Sequence, residues 1–220
     1  QGGVLEQRGD AIGVVEGVVG QRRFSIQVDG QPNHAGTTPM TLRQDALVAA
    51  SRIVLAVESM ARQHPGDPVA TVGRLEVWPN AANVVPGSVA LTVDLRDVNS
   101  VVLDQLVAEL MQQVERIGAE TGCPIQLEPQ FEVEPTAAAD GVMAAIVSAA
   151  EDLGLSHSHL PSRASHDAQE IGRRWPMGMI FVPSRGGLSH SSKEFTSDEH
   201  CWAGAAVLLG TLQRLDRELS

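Results

Sequence analysis

The chain has 220 residues, 43% of them hydrophobic and 20% charged, with a formal net charge of −11. That length and composition fit a soluble globular protein with one large domain or two small ones. The acidic balance argues against nucleic acid and anionic membranes as partners, and no apolar run approaches the roughly 18 residues of a membrane span. The N-terminus has no signal-peptide pattern. Two cysteines, Cys123 and Cys201, lie far apart and read as reduced thiols of a cytoplasmic protein.

Taken in chain order, the first ten residues are polar and Gly-rich, and they begin at Gln1 without an initiator methionine. Such a start is expected of a fragment of a longer protein. Strand signals follow: Ile12 to Val19 is rich in Val and Gly, and Phe24, Ile26 and Val28 alternate with polar residues. The turn Asp29-Gly30-Gln31-Pro32-Asn33 closes a hairpin-like unit. A helix is expected next, with Thr38 as N-cap, Pro39 at its first position, and Ala46, Ala50, Ile53, Val57 and Met60 on one face.

Val69 to Val77 reads as a strand and Asn83-Val84-Val85-Pro86-Gly87 as a turn. Val89, Leu91, Val93 and Leu95 then alternate strictly with Ala90, Thr92, Asp94 and Arg96, so the polar set shares the face away from the core. A second amphipathic helix buries Leu103, Leu106, Leu110, Val114 and Ile117, with Gly122 as its stop and Ile125 to Val133 as a last strand. The order β-α-β-β-α-β predicts a ferredoxin-like sandwich of two helices on a four-stranded antiparallel sheet.

After Pro135 the pattern changes to alternating strands and helices, part of an α/β layered domain, so the fold class overall is α+β. A helix spans Asp140 to Leu153 with Val142, Ile146, Ala149 and Leu153 inward. A short strand runs Ser156 to Leu160, and residues 166–173 look helical. Met177 to Val182 is a buried strand, and a last helix begins near Thr196 or Ser197 and buries Trp202, Ala205, Leu209 and Leu212.

Several residues could carry chemistry. His190 follows a Gly-Gly turn at the C-terminal end of a strand, where ligands gather in open α/β sheets; it is a metal ligand, with Glu194 supporting it, or a loop histidine beside a helix. One histidine does not make a hydrolytic metal site, which takes about three protein ligands and an open position. His34 lies in a loop running toward the expected helix N-terminus, where free N–H groups favour an anion; otherwise it is a capping-loop residue. Arg96 could clamp a carboxylate or pair with Asp94 or Asp97, and Asn83 could bind substrate or serve its turn. His166-Asp167 reads as a helix start, and His157 and His159 as surface residues. Ser189 and His190 make a poor serine-hydrolase pair, because adjacent residues do not face each other as nucleophile and base.

Four segments together resemble the metal-dependent amidohydrolase branch of the M20 peptidase family, the N-carbamoyl-L-amino acid hydrolases and allantoate amidohydrolases. They are Gln1-Gly2-Gly3-Val4-Leu5-Glu6; Asn33-His34-Ala35-Gly36-Thr37-Thr38-Pro39-Met40; Pro79 to Gly87 followed by Asp94-Leu95-Arg96; and Phe181 to His190 with Ser191 and Glu194. The resemblance implies residues 1–12 as the end of a catalytic-domain segment, 13–134 as a ferredoxin-like lid and dimerisation domain, and 135–220 as the C-terminal part of the catalytic domain. It implies that Gln1, His34, Asn83 and Arg96 contact substrate, that His34 also stabilises the oxyanion, and that His190 is a metal ligand.

By the same resemblance the activity is hydrolysis of a C–N amide bond in an N-carbamoyl-L-amino acid or allantoate-like carboxylate, in a homodimer joined through the lid. Two divalent ions, zinc or manganese with cobalt or nickel as alternatives, serve the complete enzyme, and this piece alone is not expected to hold them or to turn over. Two alternatives are a non-catalytic dimerisation or binding module and an M20 peptidase. Ser162-Arg163-Ala164-Ser165-His166-Asp167-Ala168 departs from the family's Ser-Gly-Ala-Gly-His-Asp-Ala, and Ser192 replaces a proline.

Overall fold

The computed structural model describes residues 3–219. Along the chain run α1 (Val4–Arg8), β1 (Ile12–Val18), β2 (Gly20–Asp29), β3 (Asn33–His34), α2 (Ala46–Gln63) and β4 (Val69–Trp78). Next come β5 (Val84–Val85), β6 (Ser88–Asp97), α3 (Ser100–Thr121), β7 (Ile125–Val133) and β8 (Thr136–Ala137). The last elements are α4 (Asp140–Asp152), β9 (His157–Ser162), α5 (Ala168–Gly172), β10 (Ile180–Phe181) and α6 (Asp198–Leu219). The chain forms two compact units, Gly20–Glu134 and the flanking residues up to Val19 and from Pro135.

The Gly20–Glu134 unit is the expected ferredoxin-like sandwich. Its sheet runs β4-β6-β2-β7, with every neighbouring pair antiparallel. The split connections follow from the two helices, each of which crosses one strand before its chain rejoins the sheet. Strict alternation in β6 buries Val89, Leu91, Val93 and Leu95 against the helices. The helix repeat brings Ala49, Ile53, Val57 and Met60 of α2 and Leu103, Leu106, Leu110 and Ile117 of α3 into the same core. Gly122 ends α3 in the left-handed conformation, φ 68°, as a C-terminal glycine should.

One helix start differs from expectation. α2 begins at Ala46, not after Thr38, and its cap is Asp45, whose carboxylate accepts from the N–H groups of Leu47 and Val48. Thr38 closes a tight turn instead, with its N–H and its Oγ1 both donating to the carbonyl of His34. Asp is as strong an N-cap as Ser or Thr, and here the two signals lie only seven positions apart.

The flanking unit centres on β1. Ile12–Val18 pairs antiparallel with β10 and β8 and parallel with β9. This strand therefore leaves the lid that was expected to start at residue 13, and it does not form a hairpin with β2. Its near-continuous burial explains the misassignment. Ile12 and Val14 pack against Ile146, Ala149, Ala203 and Val207, while Val15 and Val18 pack on Ala138, Met177 and Met179. A strand covered on both faces shows no alternation to read.

α6 also turns differently. Ala203, Val207 and Thr211 are its buried residues, whereas Trp202, Leu209 and Leu212 are 61%, 58% and 56% exposed and Ala205 is exposed too. The inner face must be small because the helices pack closely; a Cβ on Gly210 would sit 3.1 Å from that of Ala149. Leu153, expected inward at the end of a helix, instead follows α4 as its C-cap and is exposed. The expected strand 177–182 forms a ladder only at Ile180–Phe181, while the carbonyls of Met177 and Met179 accept single bonds from Ala139 and Val15.

Candidate functional site

His34 and Asn83 come from separate parts of the sequence and meet in a two-stranded ribbon. β3 pairs antiparallel with β5, setting Asn33 opposite Val85 and His34 opposite Val84. The N–H of Ala35 donates to the carbonyl of Asn83 at 2.9 Å. At the ribbon's base Gly30 N–H donates to Gly87 O at 2.8 Å, and a Cβ on Gly87 would come within 2.7 Å of the Pro32 ring. Both His34 and Asn83 are exposed.

The loop after His34 folds back on its imidazole. Nδ1 accepts from the N–H of Gly36 at 3.0 Å and of Thr37 at 3.3 Å. These amides therefore do not form the anion cradle expected at a helix N-terminus, and only a single 3-10 turn, Met40–Leu42, follows them. A ring nitrogen that accepts cannot carry the proton, so this geometry assigns the hydrogen to Nε2. Gly36 sits beneath the ring, where a Cβ would lie 3.2 Å from Cε1. The guanidinium of Arg43, which sequence reasoning missed, donates through Nη2 to Ala35 O at 2.5 Å and through Nε to Thr38 O at 3.1 Å.

Arg96 projects from the polar face of β6 and pairs with Asp94, its Nε 2.6 Å from Oδ1. Asp94 also accepts from Arg23 at 3.0 Å and from Gln21. Burial pushes the Asp94 carboxyl up, but the hydrogen bonds from Arg96, Arg23 and Gln21 and the Arg96 charge outweigh it and hold the group below its ordinary value. Arg96 is not beside the His34–Asn83 ribbon. The ribbon adjoins the Ser88 end of β6, and Arg96 lies eight residues further along the strand, roughly 26 Å at about 3.3 Å per residue.

In the flanking unit His190 is exposed and has φ 54°, a left-handed conformation uncommon outside glycine. Glu194 takes its backbone N–H at 3.1 Å. The loop's neck is closed by Arg185 N–H to Phe195 O at 2.9 Å and by Arg185 stacked 4.3 Å over the Phe195 ring. Glu6 of α1 accepts from Gly186 N–H at 2.7 Å, tying the first segment to this loop. Glu6 gave no signal beyond its place in a quoted motif, because its partner is a distant backbone N–H. Arg43 lies three residues past the quoted His34 motif and bonds only to backbone carbonyls of that loop.

Gln1 lies outside the described residues. His166-Asp167 does start α5: Asp167 is the N-cap residue without a side-chain cap bond, and His166 Nδ1 accepts from Ala168 N–H at 3.0 Å. His159 is 4.0 Å from the carboxylate of Glu16. Among the described residues no three His, Cys, Asp or Glu side chains converge on one point. His190 fits a metal site as a single imidazole ligand on a braced loop, and the described residues offer no set to complete it.

In chain order the ferredoxin-like unit is inserted between β1 and β8 of the flanking unit, and His190 follows the Arg185–Gly187 turn. The chain belongs to peptidase family M20/M25/M40, whose profile matches residues 1–214. It is 38% identical over 215 residues to an allantoate amidohydrolase of Bacillus subtilis strain 168, covering 98% of this chain and 52% of that protein. An N-carbamoyl-L-amino acid amidohydrolase of Geobacillus stearothermophilus matches with the same identity and coverage. An amidase of the hydantoinase/carbamoylase family from Burkholderia multivorans superposes with a TM-score of 0.94 at 42% identity, over 97% of this chain and 52% of its own. The chain spans about half the length of the curated relatives it matches.

Proposed function

We propose that this chain is the lid-bearing part of a metal-dependent amidohydrolase acting on an N-carbamoyl-L-amino acid or an allantoate-like carboxylate. The observation that carries the reading is the β3–β5 ribbon, which joins His34 to Asn83 on an exposed tip. With its ring proton on Nε2, His34 donates to the oxygen that gains charge as the scissile carbonyl becomes tetrahedral. Asn83 donates an amide hydrogen to the substrate, and Gln1 adds a contact from the start of the chain. Arg96, held by Asp94, binds the substrate carboxylate with its planar fork.

His190 would hold one of two divalent ions, zinc or manganese, with cobalt or nickel as alternatives. When bound, such a pair supplies Lewis acidity and a water of lowered pKa. Glu194 braces the loop from which the imidazole projects. The exposed apolar face of α6, with Trp202, Leu209 and Leu212, supports further protein covering the flanking unit in the complete enzyme. The two free thiols, Cys123 and Cys201, support a cytoplasmic setting. No helix among the described residues is long and apolar enough to cross a membrane.

The separation of Arg96 from the ribbon, together with the exposure of His34 and Asn83, supports a homodimer through the lid in which one subunit's ribbon completes the other's site. Co-expressing His34→Ala and His190→Ala subunits of the complete enzyme tests this. With trans sites each mixed dimer has one intact site of its two, and as about half the dimers are mixed the population regains about a quarter of wild-type turnover; an inactive mixture removes the trans arrangement. A panel of N-carbamoyl-L-amino acids, allantoate and dipeptides with added manganese or zinc tests the chemistry. Turnover of dipeptides alone would make the enzyme a peptidase.

A further inference from the structure

The loop that carries His34 is braced from behind by one side chain. Arg43 lies between the ribbon and α2, half-buried, and its guanidinium spans two carbonyls of the same loop. Nη2 donates to Ala35 O at 2.5 Å, and Nε donates to Thr38 O at 3.1 Å. Those two carbonyls bracket Gly36 and Thr37, the residues whose N–H groups point at His34 Nδ1. The other side of the loop is closed by Thr38 onto His34 O at 2.7 Å through its hydroxyl, and by Ala35 N–H onto Asn83 O at 2.9 Å.

We infer that Arg43 is a positioning residue for His34: by bridging Ala35 O and Thr38 O it holds the Gly36 and Thr37 amides on Nδ1 and so keeps the ring proton on Nε2. The inference rests on the reading of His34 as the oxyanion donor. The fork geometry is essential, since the two carbonyls belong to residues three apart and point to one planar guanidinium. A lysine ammonium is a single point charge on a flexible stem and reaches one of them at a time. Without the bridge the loop keeps its covalent path but loses the contact that turns both amides inward. The imidazole is then free to exchange tautomers with solvent, and a ring bearing its proton on Nδ1 offers no donor at Nε2.

The test uses two readouts. In this 220-residue chain, long-range 1H–15N spectra of the histidines report the His34 tautomer at a pH where the ring is neutral, and amide exchange reports Gly36 and Thr37. Wild type is expected as the Nε2–H form alone. Arg43→Ala is expected to show both tautomers and faster exchange at those two amides. Arg43→Lys is expected to recover only part of the difference, and it serves as the readout if Arg43→Ala does not fold. In the complete enzyme, Arg43→Ala is expected to lower kcat by roughly tenfold to hundredfold with little change in KM. A single Nε2–H tautomer and wild-type kcat in Arg43→Ala, beside a kcat loss in His34→Ala, overturn this inference alone. Full kcat in His34→Ala removes the oxyanion role itself, and the tautomer spectra then still decide whether Arg43 orients that ring.

Discussion

The backbone N–H of Ala35 meets the carbonyl of Asn83 at 2.9 Å, and this bond extends the β3–β5 pairing that fastens two motifs the chain keeps on opposite sides of a helix and a long strand. It brings the backbones that carry His34 and Asn83 together on a short ribbon. The ribbon is narrow, and glycines make its close approaches. A Cβ on Gly30 would run into the carbonyl oxygen of Gln44, and one on Gly87 into Pro32.

Gly36 lies under the His34 ring, so a methyl group there displaces the imidazole rather than the fold. Gly36→Ala in the complete enzyme is expected to lower kcat by roughly tenfold, since small misplacements of a donor are costly. Its thermal midpoint is expected to stay within about 2 °C, the range of a neutral surface change. Kinetics beside a melting curve separate the two effects; a matched fall in both would show that Gly36 serves stability.

Asp94 makes stability depend on acid. Its carboxyl is held below the ordinary carboxylate range, so the folded state binds the proton less readily than the unfolded chain. Its contribution is therefore fully present above the unfolded value, near pH 4, and disappears as pH falls through the depressed folded value. Urea midpoints compared at pH 7 and in this acid range should converge for wild type and Asp94→Asn as acid is added. A gap that persists unchanged would remove Asp94 from the acid transition.

Burial separates the two helix faces that the sequence makes look alike. Leu106 is fully buried in the ferredoxin-like core, whereas Leu209 on α6 is 58% exposed. Leu106→Ala is expected to cost about 2–5 kcal/mol in this chain, by lost transfer energy and the cavity left behind. Leu209→Ala is expected to stay within about 0.5 kcal/mol. Denaturant unfolding of the isolated chain gives both values.

His190 depends on a carboxylate four residues away. Removing the acceptor of its N–H in Glu194→Ala releases a left-handed backbone that costs roughly 1–3 kcal/mol to hold. In the complete enzyme, affinity for zinc or manganese by chelator competition is expected to fall about tenfold. Glu194→Gln, which keeps an acceptor oxygen, is expected to fall less. Equal affinity in all three proteins would leave Glu194 with no part in the site.

Arg22 is a buried cation on β2 of the ferredoxin-like unit, 6% exposed. It donates to Val133 O at 3.0 Å and faces Glu132 and Glu134 across β7. Arg22→Ala is expected to destabilise the unit by about 1–3 kcal/mol, the cost of a lost buried hydrogen-bond donor and its packing. The partners themselves stay exposed, so no charge is stranded.

By itself the sequence determined whatever repeats over a few residues. The alternation of Val89 to Leu95 and the helical spacing of Leu103 to Ile117 encode which face is buried, because the backbone period sets it locally. The resemblance of the motifs around His34, Asn83 and His190 likewise carried the family. Only the tertiary structure decided which segments pair and which of two apolar faces turns inward. Ile12–Val18 joined β9 and β10, and α6 buried its small residues while exposing its large ones, because those choices depend on distant neighbours. The same non-local pairing drew His34 to Asn83 and kept Arg96 at the far end of its strand, since a hydrogen bond between separated strands leaves no mark in local spacing.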